Sequence, residues 1–500
     1  MNNKNHVMFM GLILVLMVIP MTVLSQPSRV IGGAQDERAL VIVRSINPVN
    51  GYVMAGGTRS FGPGTPSKIN ALIVRTNQDG VPINAVITNG LQDEEATSMV
   101  RTSDNCYVVA GWTCSYNPTG SPNADIFVIK LKEDLSTPPP LCWKKVYHMA
   151  PNDFSHRAFS IIKVSSQLGG GYALTGSCNY EGNALRIIVL RLNVNGDVVW
   201  VRTYRMGSDF YDGGYSITEV RDPSVPNVRF AVAGYSAPNA NAMGNAFVMR
   251  LGSNGMIVGT NIFNGASRDE ARSVVWDGSG NEPGIVAAGW TTSLGPGTPA
   301  YANVWAAKIK AANGAVIWSN VYSWATGGPE HNDRILGEKS LIVTTGNLGS
   351  GYALSGMTYS RGPNAVNAPN FLLIKLNYDG TIGWDRRATV HPSVTLNNRI
   401  DEAYSMLQST GIPDLGIGFA VVGWSTSFIN PGSSALAGYN ILFTTFSING
   451  TRPKGCAVQY NMQQAPFSWT TQNTLTFTNA MTTTNFTLTQ CAVNSQPVCN

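Results

Sequence analysis

Acidic residues recur along this sequence, each time just ahead of an apolar segment. They are Asp36/Glu37, Glu94, Asp212, Asp269/Glu270 and Asp401/Glu402. Carboxylates gathered at one place can bind a cation or a basic partner, and two of them at a suitable separation can hydrolyse a glycosidic bond. An acidic side chain in front of a strand can also bond nearby backbone N–H groups, which is a structural role. Both interpretations stay open until the surrounding elements are considered.

A short phrase ending in glycine organises the whole chain. A residue followed by Gly closes an apolar run in seven places, about 55 to 67 residues apart. The pairs are Ala55-Gly56, Ala110-Gly111, Thr175-Gly176, Ala233-Gly234, Ala288-Gly289, Ser355-Gly356 and Val422-Gly423. Recurrence at such a period indicates a repeat architecture.

Each copy contains four short segments with strand character. In the fifth copy they are Arg272–Trp276, Gly284–Thr291, Asn303–Lys310 and Ala315–Tyr322. Runs of this length that are rich in Val, Ile and aromatic residues are typical of strands. In six copies an Asp-Gly or Asn-Gly pair precedes the fourth segment or its equivalent, such as Asn254-Gly255, and favours a tight hairpin.

We therefore predict an all-β protein, a seven-bladed β-propeller with four antiparallel strands per blade and a small β-rich C-terminal tail. The repeated glycine falls near the end of the second strand, where we expect a close backbone approach or a special φ angle. The predicted domains are a signal peptide at 1–25, the propeller at 26–456 and a Thr-rich β tail at 457–500. The blades lie near 33–90, 91–150, 151–206, 207–265, 266–325, 326–392 and 393–456.

The two ends of the propeller need a closing strand. We expect residues 29–32 to add to blade seven as its fourth strand, because closure removes a free sheet edge. The alternative is that Lys454–Tyr460 takes that place. In the tail, Leu475–Thr478 and Asn485–Thr489 alternate apolar residues with Thr, which predicts a small hairpin. A cap under the propeller and an attachment module are both open roles for it.

Gly170–Gly176 reads GGYALTG, and Lys375–Gly380 reads KLNYDG. Together with the Asp-x-Ala-x-Ser phrase, these segments resemble the repeats of secreted prokaryotic β-propeller proteins. The resemblance covers about residues 29–450 and implies the fold, but it implies little about function, because such repeats are seldom assigned one. Blade six departs from the pattern at Leu336–Ser340 (LGEKS), where we find no Asp-x-Ala.

In a propeller, the loops that enter the first strands share a face with the loops that join the second and third strands. The second set is long here and carries aromatic residues, so we expect a ligand face around the channel mouth. Its candidate residues are Asp36, Glu94, Asp212, Asp269, Glu270, Asp401, Glu402, Tyr116, Tyr301 and Phe428. The repetition of the acids also fits a structural role. The basic residues of the third strands, such as Lys308, are expected to form internal ion pairs or to lie at a solvated edge, and the recurring Trp is expected in the blade core.

No motif predicts catalysis. The sequence has no Gly-x-Ser-x-Gly elbow, no neuraminidase-type Asp box and no Cys-x-x-Cys, and its five His are scattered. We predict no catalytic residue, no metal site and no cofactor, and nothing in the sequence supports a bound Ca²⁺. Charged residues make up 13% of the chain, about half the usual share. The net charge of +5 comes without a basic run, so we expect no nucleic-acid partner.

The N-terminus is typical of export. Lys4 and His6 precede an apolar run over Val7–Leu24, and we expect cleavage near Ser25/Gln26, the alternative being a retained anchor. After cleavage no other segment is expected to span a membrane. Seven Cys follow, an odd number, and disulfides are expected outside the cell. Cys114 and Cys178 are candidates for a staple between blades. In the tail, Cys491 and Cys499 are candidates to pin the hairpin, the alternative being a tie back to Cys456. Asn449 and Asn485 begin glycosylation sequons.

These observations predict a secreted or cell-surface propeller that binds an extracellular protein or polysaccharide, or serves a structural role, without catalysis. The alternative is an extracellular carbohydrate-active hydrolase or lyase that uses carboxylates of the loop face, such as Asp269 or Asp401. A third hypothesis is an architectural protein that associates with itself, which the odd number of Cys would suit.

Overall fold

The structure is a computed structural model. It describes residues 29–449 apart from 34, 46–50, 89, 117–122, 136–140, 149–154, 180–183, 207–210, 239–242, 264, 280–281, 296–297, 324–331, 360–368, 389–399, 413–415 and 427–438, and it describes five strands of the tail. Strands dominate these residues, and the only helices among them are two 3₁₀ turns, Ser166–Leu168 and Gly346–Leu348.

The strands form repeated antiparallel units that follow one another along the chain. After β1 (Arg29–Gly32), blade one contains β2 (Glu37–Arg44), β3 (Tyr52–Thr58), β4 (Asn70–Thr76) and β5 (Pro82–Thr88). Blade two contains β6 (Glu94–Arg101), β7 (Cys106–Thr113), β8 (Asp125–Lys132) and β9 (Leu141–His148). Blade three contains β10 (His156–Lys163), β11 (Tyr172–Asn179), β12 (Leu185–Leu192) and β13 (Val198–Tyr204). Blade four contains β14 (Tyr211–Glu219), β15 (Phe230–Ala237), β16 (Asn245–Leu251) and β17 (Ile257–Phe263).

The remaining blades continue the pattern with two variations. Blade five contains β18 (Asp269–Asp277), β19 (Gly284–Thr291), β20 (Asn303–Ile309) and β21 (Val316–Ser323). In blade six the first strand is split into β22 (Asp333–Arg334) and β23 (Leu341–Thr344), followed by β24 (Gly351–Thr358), β25 (Asn370–Leu376) and β26 (Ile382–Ala388). Blade seven has three strands of its own, β27 (Asp401–Ile412), β28 (Gly416–Ser425) and β29 (Asn440–Ser447).

The first strands of successive blades contact one another in a closed ring around a central channel. The contacts run through β2, β6, β10, β14, β18, β23 and β27 and return to β2. The fourth strand of blade seven is β1, which pairs with β29 so that Ile31 lies opposite Ile441. The all-β propeller fold predicted from the repeats is confirmed. Core clusters lie between neighbouring blades, since one blade cannot bury both faces of its sheet alone.

The repeated glycine sits where the first two strands of a blade come closest. A β-bulge in the first strand, between Ala271 and Ser273 in blade five, pushes the carbonyl of Glu270 toward Gly289. A Cβ on Gly289 would lie 1.8 Å from that oxygen. In each of the other blades, a Cβ on the corresponding glycine would lie 1.8–2.1 Å from the equivalent carbonyl oxygen of that blade. The close backbone approach is therefore the reason for the glycine, and no positive φ is found at these positions.

Two polar contacts, repeated from blade to blade, join the units. A serine hydroxyl in one first strand accepts a hydrogen bond from a backbone N–H in the first strand of the next blade. Ser98 accepts such a bond from Ile161 at 2.9 Å, and the same contact is made by Ser160, Ser216, Ser273 and Ser405. The fourth-strand tyrosines reach the hairpin of the next blade. Tyr204 donates its hydroxyl proton to the Gly255 carbonyl at 2.7 Å, and Tyr147 and Tyr322 make the same contact. The Trp residues on these strands also donate to the next hairpin, so they join blades as well as filling them.

The basic residues of the third strands are internal. Lys308 Nζ lies 2.8 Å from Asp277 Oδ2, and Lys130 pairs with Asp104. Arg191, Arg250 and Lys375 instead donate to backbone carbonyls. All of these residues are buried, so they are not a solvated edge.

The structure places the start of blade six earlier in the sequence than predicted. Asp333-Arg334-Ile335 takes the place of the Asp-x-Ala phrase, because Arg334 pairs with Met357 and a Cβ on Gly356 would meet the Arg334 carbonyl. The Ser340 carbonyl accepts the N–H of Ser355, so Ser340 keeps the position of the repeated serine. Four residues, Leu336 to Lys339, therefore stand where the other blades have one bulge residue. The segment LGEK, residues 336–339, is therefore an expansion of the bulge and not the start of the blade.

Each described strand of the tail adds to the outer strand of a different blade. The predicted hairpin stays a prediction, because only part of one of its two segments is among the described residues. The pairs are β30 (Ala457–Gln459) with β26, β31 (Gln463–Pro466) with β21, β32 (Thr482–Thr484) with β9, β33 (Leu488–Cys491) with β5 and β34 (Asn494–Pro497) with β1. The outer edges offer unpaired N–H and C=O groups that such strands can satisfy. Leu475–Thr478 lies outside the described residues, and Ala457–Gln459 lies on blade six instead of closing blade seven.

The proposed staple between Cys114 and Cys178 is wrong. Both are free thiols that pack in different places, Cys178 in the core between blades two and three and Cys114 against Ile69 and Trp112. The described cysteines that do approach are Cys106 and Cys142, whose Sγ atoms are 3.4 Å apart. Cys499 and Cys456 lie outside the described residues, and Cys491 ends β33.

Candidate functional site

The central channel is surrounded by corresponding residues of the seven first strands. The first strands begin at the mouth with the Asp-x-Ala phrase or its equivalent, such as Asp269-Glu270-Ala271 in blade five. The middle residues of these phrases lie nearest the mouth and are Arg38, Glu95, Arg157, Gly213, Glu270, Arg334 and Glu402. Two positions further along are Leu40, Thr97, Phe159, Tyr215, Arg272, Leu336 and Tyr404, which line a chamber of about 130 Å³. We call it the mouth chamber. Gly337 and Glu338 close its inner end.

The first acid of most phrases is buried and tied to its own blade. Asp269 accepts hydrogen bonds from Thr291 Oγ1 at 2.5 Å and Ser293 Oγ at 2.8 Å. Asp401 accepts one from Ser425, Glu94 one from Thr113, and Asp212 one from the Met206 N–H. Asp269, Asp401 and Glu94 therefore hold the start of the first strand to the end of the second strand, whereas Asp212 is bonded to Met206, which follows the fourth strand of blade three. Asp333 occupies the same position in blade six and was missed because that blade was read in the wrong register.

Replacing Asp269 with asparagine should change how stability depends on pH. Burial raises the pKa of Asp269 to about 6, and its hydroxyl partners only partly oppose this. Its unfolded value is about 3.9, so the folded state binds more protons between pH 4 and 6 and stability falls as pH rises through that window. We expect wild type to lose about 2 kcal/mol relative to Asp269→Asn between pH 4 and 7. Urea unfolding at a series of pH values measures this difference.

The matched control for Asp269 is Glu282, an exposed carboxylate of the same blade. Because the Glu282 side chain is exposed, the stability difference between wild type and Glu282→Gln should be small throughout the pH series. A difference for Asp269→Asn that changes no more with pH than that of this control would contradict the burial argument.

At the mouth, arginine side chains stack on aromatic rings of the preceding blade. The Arg157 guanidinium of blade three lies 4.3 Å from the ring centroid of Trp112 in blade two. Arg334 of blade six lies 4.5 Å from Trp290 in blade five, and Arg268 approaches the same ring at 5.5 Å. Such cation–π contacts hold long side chains in one conformation at a protein surface. Trp112 and Trp290 are only 9% and 5% exposed, so the arginines cover them.

The charges at the mouth are arranged with cations outermost. Arg38 pairs with Glu95, and Arg268 Nη2 lies 2.7 Å from Glu270 Oε1. The two arginine side chains are 43% and 49% exposed, whereas the two glutamates are 7% and 0% exposed. Burial also raises the pKa of Glu402 to about 7, so this acid is only partly ionised at neutral pH. A ligand arriving at the mouth therefore meets guanidinium groups.

The inserted segment of blade six, residues 336–339, crosses the channel and closes it, and we call this segment the plug. The Glu338 carboxylate accepts hydrogen bonds from Ser98 Oγ at 2.6 Å and Ser160 Oγ at 2.8 Å, while its backbone carbonyl accepts from Ser216 and Ser273. Lys339 donates to the Met99 carbonyl and lies 3.7 Å from Glu338. Burial raises the pKa of Glu338, which the Lys339 charge opposes. The Lys339 carbonyl accepts the Met406 N–H of blade seven, so this one segment contacts five other blades around the axis.

The other predicted face residues are scattered. Glu270 and Glu402 lie at the mouth, as described. Asp36 lies outside it, where its carboxylate accepts the Tyr439 N–H. Tyr116 packs against the core between blades one and two, and Tyr301 is half-buried in its loop. Phe428 lies outside the described residues.

Sequence reasoning missed Arg38, Arg157 and Arg334 because they occupy the variable position of the Asp-x-Ala phrase, and it missed Arg268 because that residue precedes the phrase. Only the periodic alignment of the phrase, with a charged residue at that position in six of seven copies, could have drawn attention to the first three.

The described residues contain no cluster of three or more His, Cys, Asp or Glu that could hold a metal ion. Within the same part of the chain, no helix is long and apolar enough to cross a membrane. Asn449 is exposed in the turn after β29, whereas Asn485 lies outside the described residues.

No family model and no curated protein matches the sequence. Among solved structures, the chain is similar to Sqt1 from Chaetomium thermophilum, with a TM-score of 0.39 and 10% identity over 80% of this chain and 95% of that one. It is also similar to Sqt1 bound to the N-terminus of the ribosomal protein L10, with a TM-score of 0.39 and 10% identity over 79% and 96% of the two chains. Similarity this distant has no bearing on function.

Proposed function

We propose that this protein is a binding module whose channel mouth receives an acidic segment of a partner protein. The observation that carries the proposal is the set of arginines on Trp112 and Trp290, of which Arg157 and Arg268 are exposed. Glu270, the acidic partner of Arg268, is buried beneath it. Arginine and tryptophan are enriched among the residues that dominate binding energy at protein interfaces. A guanidinium held on a ring loses less conformational entropy when it binds a carboxylate.

The same geometry supports a protein partner over a neutral polysaccharide. Sugar rings stack on open aromatic faces, but arginines cover the faces of both tryptophans at the mouth. It also gives no support to the carbohydrate-active alternative. Asp269 and Asp401, which that alternative would use, are buried and bonded to hydroxyls of their own blades.

A charge reversal at the mouth tests the proposal. Peptides selected from a displayed random library on the wild-type protein should be enriched in Asp and Glu. Their affinity should fall at least 10-fold for Arg157→Glu/Arg268→Glu, because each reversal replaces attraction by repulsion. Arg157→Gln/Arg268→Gln should give an intermediate loss. Affinities can be measured by fluorescence anisotropy at two salt concentrations, and binding should weaken at the higher one.

The control is Lys132→Glu, which makes the charge change of one of the two mouth reversals at an exposed position at the end of β8. It should leave peptide affinity within a factor of two. Selection of peptides without acidic enrichment, or equal losses for the control and the mouth variants, would refute the proposal. Tight binding of polygalacturonate with no acidic-peptide binding would assign the mouth to an anionic polysaccharide instead.

The proposal includes export of the protein to the cell surface or beyond. It is supported by the apolar run at Val7–Leu24 and the small residues after it, which are typical of a cleaved signal. Mass spectrometry of the protein from its own cells should find a mature N-terminus near Gln26. An intact Met1 in all of the material would contradict export by this route.

A further inference from the structure

A second chamber lies on the far side of the plug, away from the mouth. It has a volume of about 430 Å³, within the range of small-molecule sites. Glu338 and Lys339 form its inner end, and first strands of several blades form its wall. We call it the far chamber. Nothing about it depends on the partner proposed for the mouth.

The wall of the far chamber is apolar although it remains in contact with solvent. Val43, Ile162, Val275, Ile342 and Leu407 line it, each from a different blade. Each of these side chains is only partly buried. Apolar surface gathered in a concave site and left partly open is a common mark of ligand binding.

The plug offers no strong electrostatic attraction to a ligand. Ser98 and Ser160 satisfy the Glu338 carboxylate, and Lys339 is held by the Met99 carbonyl and by Glu338. The two opposite charges are close together, so their fields largely cancel in the chamber. The inner end therefore suits the apolar part of a ligand.

Cations lie at the outer end of the same strands. The last residues of β2, β6 and β10 are Arg44, Arg101 and Lys163, so three consecutive blades carry a positive charge at the same repeat position. Arg44 lines the far chamber, and its guanidinium is positioned by hydrogen bonds to Ser409 Oγ at 3.0 Å and the Thr410 carbonyl at 2.6 Å. Blade four ends the series with Glu219, which pairs with Arg221.

We propose that the far chamber binds a small amphipathic anion, with its apolar body against the chamber wall and its anionic head near Arg44. The ligand class follows from the order of the lining along the strands. The apolar wall comes first, and the cations Arg44, Arg101 and Lys163, which we call the basic arc, lie beyond it. A cationic amphiphile would fit the wall but be repelled at the arc.

Dodecanoate and dodecyltrimethylammonium have tails that differ by one methylene and heads of opposite sign, so the pair tests the proposal. Isothermal titration of the full-length protein, below the concentrations at which either forms micelles, should show saturable binding of one dodecanoate and at least 10-fold weaker binding of the cation. Val275→Trp should weaken dodecanoate binding at least 10-fold by filling the chamber. Arg44→Gln should weaken it several-fold.

Val199→Trp is the matched control, since Val199 lies on an outer strand and is 58% exposed. It should leave dodecanoate binding unchanged. Ile162→Phe provides a second, smaller filling variant if Val275→Trp does not fold. No saturable dodecanoate binding, or equal binding of both amphiphiles, would overturn the proposal. So would binding to anionic phosphatidylglycerol vesicles that depends on Arg44 but is unaffected by filling the chamber, because it would assign the basic arc to a membrane surface.

Discussion

Replacing Gly289 with alanine is expected to lower the free energy of unfolding by about 3 kcal/mol, at the upper end of the usual cost of overpacking. The new Cβ would lie 1.8 Å from the Glu270 carbonyl oxygen and 2.8 Å from its carbon. Both atoms belong to the backbone of a paired strand, so neither can swing aside as a side chain would. Urea unfolding followed by tryptophan fluorescence measures the loss.

Gly383 is the matched control for Gly289. It also lies in a strand, β26, but the atom nearest to its built Cβ is the Lys375 carbonyl oxygen at 3.4 Å, which is an ordinary contact. Gly383→Ala should change stability by less than about 0.5 kcal/mol. If both variants lost the same amount, the close approach would not be the reason for the repeated glycine.

Replacing Glu338 with alanine should cost about 3–5 kcal/mol, the usual range when one partner of a buried ion pair is removed. The change leaves the Lys339 ammonium, which is 23% exposed, without its carboxylate. It also takes the acceptor from the Ser98 and Ser160 hydroxyls, which lie on two other blades. The loss should appear as a lower urea midpoint.

A double variant separates the charge from the loss of packing. Glu338→Ala/Lys339→Met removes both charges and should recover a large part of the stability lost by Glu338→Ala, because an apolar replacement of a buried pair is often tolerated. A double variant that is less stable than Glu338→Ala would show that Lys339 stabilises the plug without its partner, contrary to the ion-pair argument.

The repeat made most of the fold predictable. The glycine near the end of the second strand recurs in all seven blades and the Asp-Gly or Asn-Gly pair in six. Trp and Tyr recur four residues apart on three fourth strands, at Trp143/Tyr147, Trp200/Tyr204 and Trp318/Tyr322, so the period of these residues shows in one sequence. The predicted second strand of blade five, Gly284–Thr291, has the same bounds in the structure. The contacts then explain the residue types, as with the Tyr322 hydroxyl on the Gly380 carbonyl.

Features that break the repeat could not be predicted in the same way. The plug is an insertion in one blade, so no second copy showed that Glu338 belongs in the channel. Arg157 and Arg334 occupy a position that holds Arg, Glu or Gly in different blades, and their stacking on the preceding blade joins residues far apart in sequence. The cysteine assignment was wrong because strand position alone does not say which face of a blade a side chain packs against.

Closure of the ring by β1 also sets the order in which the molecule can fold. Val30 pairs with Leu442, so the first segment of the propeller to be synthesised must wait for almost the last one before it has a partner. Contacts this distant in sequence slow folding, since the chain must form a very large loop before they stabilise it. A chain that stops short of β29 can build blades, but it leaves their ring open and exposes an unpaired strand edge to aggregation.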